Sequence, residues 1–308
     1  MARRRVRRGV LLVVAAGCAA AGVAGVAGVA AEQRPRAAER AAGPAVRALT
    51  AREEDRLHRA EQLLLRACMR AQGFEYRPVP RNPVPEAREF PYVLDDVAWA
   101  REHGYGTDIR REAAEAREKD VNQRYFRSLP PARRAQALRA ANGPDPNGIT
   151  ARTPDGMVLR RSTEGCHAQA ERTLYGDLAA WFQAEVTLDS LSPMRHTRVP
   201  ADPAFARAVE PWARCMRAAG HPYASPAHLR RDALPGPGEP ALPRGQEIRL
   251  AVAEARCATT TGLARTAREL DRTHALRLRH QYRSELNVAQ RLRLGALPRA
   301  GEVIGGTR

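Results

Sequence analysis

The sequence predicts an all-α, mainly helical fold with a small β-hairpin near residues 149–161, built as two helical halves that are each stapled by a disulfide. Three observations carry that expectation. Hydrophobic residues make up 44% of the chain, yet aromatics are only 5% and much of the rest is Ala, so the core has to be made of Ala and Leu between helices. Apolar positions recur at three- and four-residue spacing, bounded by residues with helix-cap chemistry. One nine-residue stretch also occurs twice, as Cys68-Met-Arg-Ala-Gln-Gly-Phe-Glu-Tyr76 and as Cys215-Met-Arg-Ala-Ala-Gly-His-Pro-Tyr223. Six of its nine positions are identical at an offset of 147 residues.

The chain opens with Arg3, Arg4, Arg5, Arg7 and Arg8, and then runs from Gly9 to Ala31 without a charge. A basic end before an apolar run is held in the cytoplasm while the rest is exported. The run reads as a cleaved signal peptide with Val29-Ala30-Ala31 as its small-residue cleavage site. It also reads as a retained membrane anchor, for which about 20 residues suffice. A third reading is a lipoprotein signal, in which Ala15-Ala16-Gly17-Cys18 makes Cys18 the candidate lipidation site, although the usual Leu three residues earlier is missing. Each reading places residues 32–308 outside the cytoplasm, secreted or held at the cell membrane by residues 9–31.

Residues 32–49 lack periodicity and read as a flexible tether. The first helical half spans residues 50–192. Thr50 and Glu53 form a capping box, Leu57, Ala60, Leu64 and Cys68 share one face, and Gly73 is the stop. The proline-rich stretch 74–93 is extended. Asp95 or Asp96 caps a short helix through Trp99 to His103, closed by Gly104-Tyr-Gly106. Residues 110–127 and 131–141 read as two helices broken at Pro130-Pro131, and 142–148 as a loop. The hairpin turns at Thr153-Pro-Asp-Gly156. A helix carrying Cys166 ends at Tyr175-Gly176, and Asp177 caps the next one.

Pro193 to Ala201 reads as the boundary between the halves. The second half, 202–294, starts with Asp202-Pro203, well suited to N-cap and N1, with Pro211 kinking or restarting that helix. Ser225-Pro226 starts a short helix, residues 235–245 read as a Pro/Gly linker, and the chain is then helical to Leu294 with a break at Thr259 to Gly262. Residues 295–308 read as a frayed tail.

Beyond residue 31 the cysteines are Cys68, Cys166, Cys215 and Cys257, an even number that suggests disulfides outside the cytoplasm. Three connectivities are open. If the halves are duplicates, the pairs are Cys68–Cys166 and Cys215–Cys257, and loop-closure entropy assigns about 4–5 kcal/mol to each. Cys-x-x-Cys and His-Glu-x-x-His patterns are absent, and His167 does not face its neighbour Cys166 on a helix, so neither zinc nor a thiol nucleophile is supported. Met69 and Met216 read as core fillers. Tyr76 and Tyr223 read as packing on the disulfides rather than lining a shared groove, and Trp99, Trp181 and Trp212 as core anchors.

With the cysteines placed, the pattern resembles an uncharacterised family of secreted or envelope proteins from GC-rich Gram-positive bacteria. The carrying residues are Cys68-Met69 with Gly73, Asp96 to Arg101, Gly104-Tyr-Gly106, Pro154-Asp-Gly156, Gly165-Cys166, Leu174 to Asp177, Trp212 with Cys215-Met216 and Gly220, and Glu247 to Leu263 around Cys257. The resemblance covers residues 50–290. It implies export and a helical fold, and it transfers no catalytic residue.

The net charge is +17. The five N-terminal arginines leave +12 on the rest, and of 51 basic residues only Lys119 is not Arg, a bias that looks like GC-rich codon usage. Such a surface favours anionic partners, a cell-wall polymer or a membrane surface. Nucleic acid is not supported, because no basic–aromatic platform or known motif is present. Residues 263–294 read either as a basic amphipathic helix that touches such a partner or as a core helix with an Arg-solvated face. Nucleotide-binding glycine loops and the serine-hydrolase Gly-x-Ser-x-Gly are absent. The sequence therefore nominates no catalytic, cofactor-binding or metal-binding residue. It points to a non-enzymatic, exported, envelope-associated protein with a binding or structural role. The alternative is a glycan-cleaving or other hydrolytic enzyme of the envelope whose carboxylate acid is not identified; Glu285 is no better a candidate than other helix-surface acids.

Overall fold

The repeated motif builds the same object twice. In the computed structural model, which describes residues 47–81, 84, 87–234 and 242–306, each copy is a helix end closed by a Schellman turn. In the first copy the Phe74 N–H donates to the Met69 carbonyl and the Gly73 N–H to the Arg70 carbonyl. In the second the His221 and Gly220 N–H groups donate to the Met216 and Arg217 carbonyls. Both turns need φ near +80°, 76° at Gly73 and 82° at Gly220, which a side chain would strain. Residues 1–31 with Cys18, most of the tether and most of the 235–245 linker lie outside the described residues.

The described residues form twelve helices and one hairpin. In chain order these are α1 (Ala51–Ala71), α2 (Val97–His103), α3 (Thr107–Glu118), α4 (Val121–Ser128), α5 (Pro131–Asn142), β1 (Ile149–Arg152), β2 (Val158–Arg161), α6 (Cys166–Tyr175), α7 (Leu178–Arg198), α8 (Pro203–Ala218), α9 (Pro226–Ala233), α10 (Arg244–Thr260), α11 (Leu263–Gln281) and α12 (Arg283–Gly305). Caps fix most of the starts. Thr50 and Glu53 close a capping box on α1, and Asp96, Asp177, Asp202 and Ser225 each accept a backbone N–H in the first turn of α2, α7, α8 and α9. The hairpin is antiparallel, with Ile149 opposite Arg161 and Arg152 opposite Val158, and Ala151 packs it on Phe182 and Val186 of α7.

The disulfides are Cys68–Cys166, joining α1 to α6, and Cys215–Cys257, joining α8 to α10, with Cα atoms 5.5 and 5.7 Å apart. Each anchors a core. Around the first lie Leu65, Met69, Phe74, Ala137 and Ala170, with Tyr76 packed against them; around the second lie Trp212, Met216, Leu229, Leu250 and Leu263, with Tyr223 against them. All three tryptophans are buried.

Four expectations need correction. Residues 295–305 are not frayed: they continue α12, whose Ala296 and Ala300 are fully buried against Leu57 and Ala60 of α1. Gly295, Pro298 and Gly301 lower the intrinsic helix propensity there, but tertiary packing outweighs it. The boundary at Pro193 falls inside α7, which runs on to Arg198 and is held beyond the proline by fully buried Val199. The stretch 110–127 is two helices, because the Asp120 carboxylate accepts the Gln123 N–H and starts α4 afresh. The segment 263–294 is broken at Tyr282 into α11 and α12.

Each half of the sequence closes its own disulfide, yet the halves exchange elements in space. Tyr92, Val93 and Leu94, with α2, pack on the cores formed by α8, α10 and α11, while α12 crosses back to pack on α1, α6 and α7.

Candidate functional site

The basic stripe of the second half meets a cleft. Arg268, Arg272 and Arg279 lie at i, i+4 and i+11 of α11 and therefore share one face. The neighbouring apolar face of α11 (Leu263, Ala267, Leu278) is buried in the core, so it is a core helix with an Arg-rich outer face. The arginine face forms one wall of a cleft of about 700 Å³. The extended segment 88–95 and the C-terminal turns of α7 (Ser192, Arg195, His196) form the others.

Inside the cleft a network of polar groups is fixed. The Tyr92 hydroxyl donates to Asp271 Oδ1 at 2.5 Å, and Arg195 donates to Asp271 Oδ2 at 2.6 Å and to Ser192 Oγ at 3.3 Å. Ser192 Oγ and His196 Nε2 are 3.3 Å apart, and the His196 ring meets the Tyr92 ring edge-on at 5.8 Å. Burial, and then the bond to Asp271, push the Tyr92 hydroxyl well above the ordinary phenol value, so it remains a donor at neutral pH. Arg268 pairs with Asp95 and Arg88 with Asp96. Arg272 and Arg279 line the cleft without an ion pair or hydrogen bond among the described residues.

Acyl-transfer chemistry needs more than Ser192 beside His196. No carboxylate among the described residues holds the other ring nitrogen of His196, and Asp271 is already engaged by Tyr92 and Arg195. The four core cysteines are spent in disulfides, and among the described residues no group of three His, Cys, Asp or Glu side chains is placed to hold a metal ion. Glu254 and Glu247, the most buried acids, serve as internal staples: Glu254 accepts the Leu94 N–H at 3.2 Å, and Glu247 the Tyr105 N–H at 2.8 Å.

The sequence singled out the arginine stretch on which one wall is built, and it missed Tyr92, Ser192, Arg195 and His196. The spacing of Ser192 and His196 was legible as an i, i+4 pair. Their meeting with Tyr92 was not, because that contact depends on how the halves exchange elements. Comparison with protein families, with characterised proteins and with solved structures finds no match to this chain.

Proposed function

We propose that this is an exported, envelope-associated protein that binds an anionic polymer in the cleft between α7, α11 and residues 88–95, without catalysing a reaction. The observation that carries the reading is the placement of Arg272 and Arg279, two guanidiniums unpaired among the described residues on one helix face of a preformed cleft, beside the paired Arg268 and Arg195. Guanidiniums suit phosphate and carboxylate groups because their fork matches two acceptor oxygens. Export is supported by the N-terminal segment, by the resemblance to secreted proteins and by two disulfides, which are compatible with an extracytoplasmic location. No described helix is long and apolar enough to cross a membrane, so anchoring, by insertion or through lipidated Cys18, falls to the N-terminal segment in this reading.

The test is a calorimetric titration of the purified protein with inorganic polyphosphate, followed by sedimentation with purified cell walls. Binding is expected to weaken as salt rises, since exposed charges are screened over about 10 Å at 0.1 M. The double variant Arg272→Ala/Arg279→Ala should lose about tenfold in affinity, near 1.4 kcal/mol. Absence of binding, or equal binding by the double variant, would overturn the reading.

A further inference from the structure

In a chain of net charge +17, one recess is acidic. It holds about 350 Å³ between α1 and α7, which both pack on α12. Glu54, His58 and Glu61 reach it from successive turns of α1, and Trp181, Glu185 and Asp189 from successive turns of α7. Its cations are already matched, since Arg81 and Arg293 both pair with Glu54. Glu61 and Asp189 have no ion pair or hydrogen bond among the described residues, and Glu185 has only a distant Arg161 at 3.9 Å.

A second, independent feature points to a ligand. Tyr175 and Trp181 stack at 3.7 Å and form an aromatic wall. Tyr175 is 6% exposed and its hydroxyl makes no hydrogen bond among the described residues; the charges nearest it are Glu61, Arg293 and Glu185, all lining the recess. Trp181 is 7% exposed and contributes its ring, not its N–H, to that wall. A phenol oxygen accepts as well as donates, so an ammonium N–H in the recess can satisfy it. Excess carboxylate beside an aromatic face is the environment that recognises an organic cation.

We propose that this recess binds a primary ammonium group, with Glu61, Glu185 and Asp189 as counter-ions and Tyr175 and Trp181 as the aromatic wall. The site is separate from the arginine cleft and does not depend on it. Burial, and then the charge of Glu171, push the Glu185 carboxyl up to about 7; Asp189 and Glu61 add to this and Arg161 opposes it. A bound cation relieves that repulsion and draws Glu185 into its ionised form. Affinity for the lysine amine, which stays protonated, should therefore rise between pH 6 and 8, while the glucosamine amine loses its proton near pH 8 and its affinity should peak near pH 7.

The probes are Nα-acetyl-lysine amide and glucosamine, which separate a peptide source from a sugar source. Nα-acetyl-norleucine amide and glucose are the uncharged controls, and calcium is the inorganic one. Calorimetry on the purified protein should show at least one amine binding and both neutral analogues failing. Glu185→Gln keeps the shape of the recess; it should weaken the lysine amine about tenfold at pH 8, or glucosamine several-fold at pH 7, and flatten the pH dependence, and Glu61→Gln should weaken it as well. The proposal is overturned if neither amine binds, if calcium binds in preference, or if Glu185→Gln leaves amine affinity and its pH profile unchanged. It is equally overturned if the protein releases reducing ends from chitotetraose in a Glu185-dependent way, which would make the recess a hydrolytic site.

Discussion

Glu254 is fully buried in the middle of α10. One oxygen accepts the Leu94 N–H. The other, like the nearby Tyr105 hydroxyl, is buried without a formed hydrogen bond. Burial pushes its carboxyl above the ordinary carboxylate range, and the charge of Arg230 and the Leu94 N–H offset this only in part. The folded protein therefore holds a proton that the unfolded chain releases once pH exceeds the ordinary carboxylate value. The stability this group contributes is complete at low pH and is lost as pH rises towards the raised folded value. Glu254→Gln keeps the acceptor for Leu94 and cannot ionise. Its melting temperature, relative to wild type, should climb as pH rises above 5 and level off once pH passes the raised folded value, read by scanning calorimetry; a constant offset would show that Glu254 does not titrate with folding. Nothing in Ala253-Glu254-Ala255 marks this glutamate as buried. That follows only from α2 and residues 92–94 lying across α10, and a local pattern does not record a partner so distant in sequence.

At the level of elements, local signals succeeded where a backbone group needs a specific side chain or a positive φ. The caps at Thr50, Asp96, Asp177, Asp202 and Ser225 and the stops at Gly73 and Gly220 stand where their chemistry demands. Local signals failed where packing overrides propensity. Pro193 removes one N–H from the α7 ladder, yet the helix continues because buried Val186 and Thr187 before it and buried Val199 after it hold the helix to the core. The C-terminal residues hold Gly and Pro, and they are helical because Ala296 and Ala300 allow α12 to approach Ala60 of α1 closely. That close approach makes a sharp expectation. Ala300→Leu forces a large side chain between the two helices and should cost about 1–3 kcal/mol, read as a lower denaturation midpoint in urea. A frayed tail would accept the same change within about 0.5 kcal/mol, so a neutral result would return residues 295–305 to that description.

For the molecule as a whole, the two disulfides and the exchanged elements act on different states. Each disulfide confines one half of the unfolded chain, through loops closed over sequence separations of 98 and 42 residues. The exchanged elements tie the folded halves to one another: residues 92–103 complete the core of the second half, and α12 completes that of the first. A half expressed alone would lack part of its core and expose apolar surface in its place. Residues 202–306 without the first half would leave Leu57 and Ala60 missing from the face of Ala296 and Ala300, and Tyr92, Val93 and Leu94 missing from the surfaces of α10 and α11. Unfolding of residues 47–306 should therefore be one cooperative transition, with calorimetric and van't Hoff enthalpies equal. Replacing Cys215 and Cys257 by Ser should lower the melting temperature of that single transition, by an amount set by about 2–5 kcal/mol of lost stability, rather than release the second half as an early, separate melting step. Two resolved transitions in that variant would show that each half holds its own core without the other's elements.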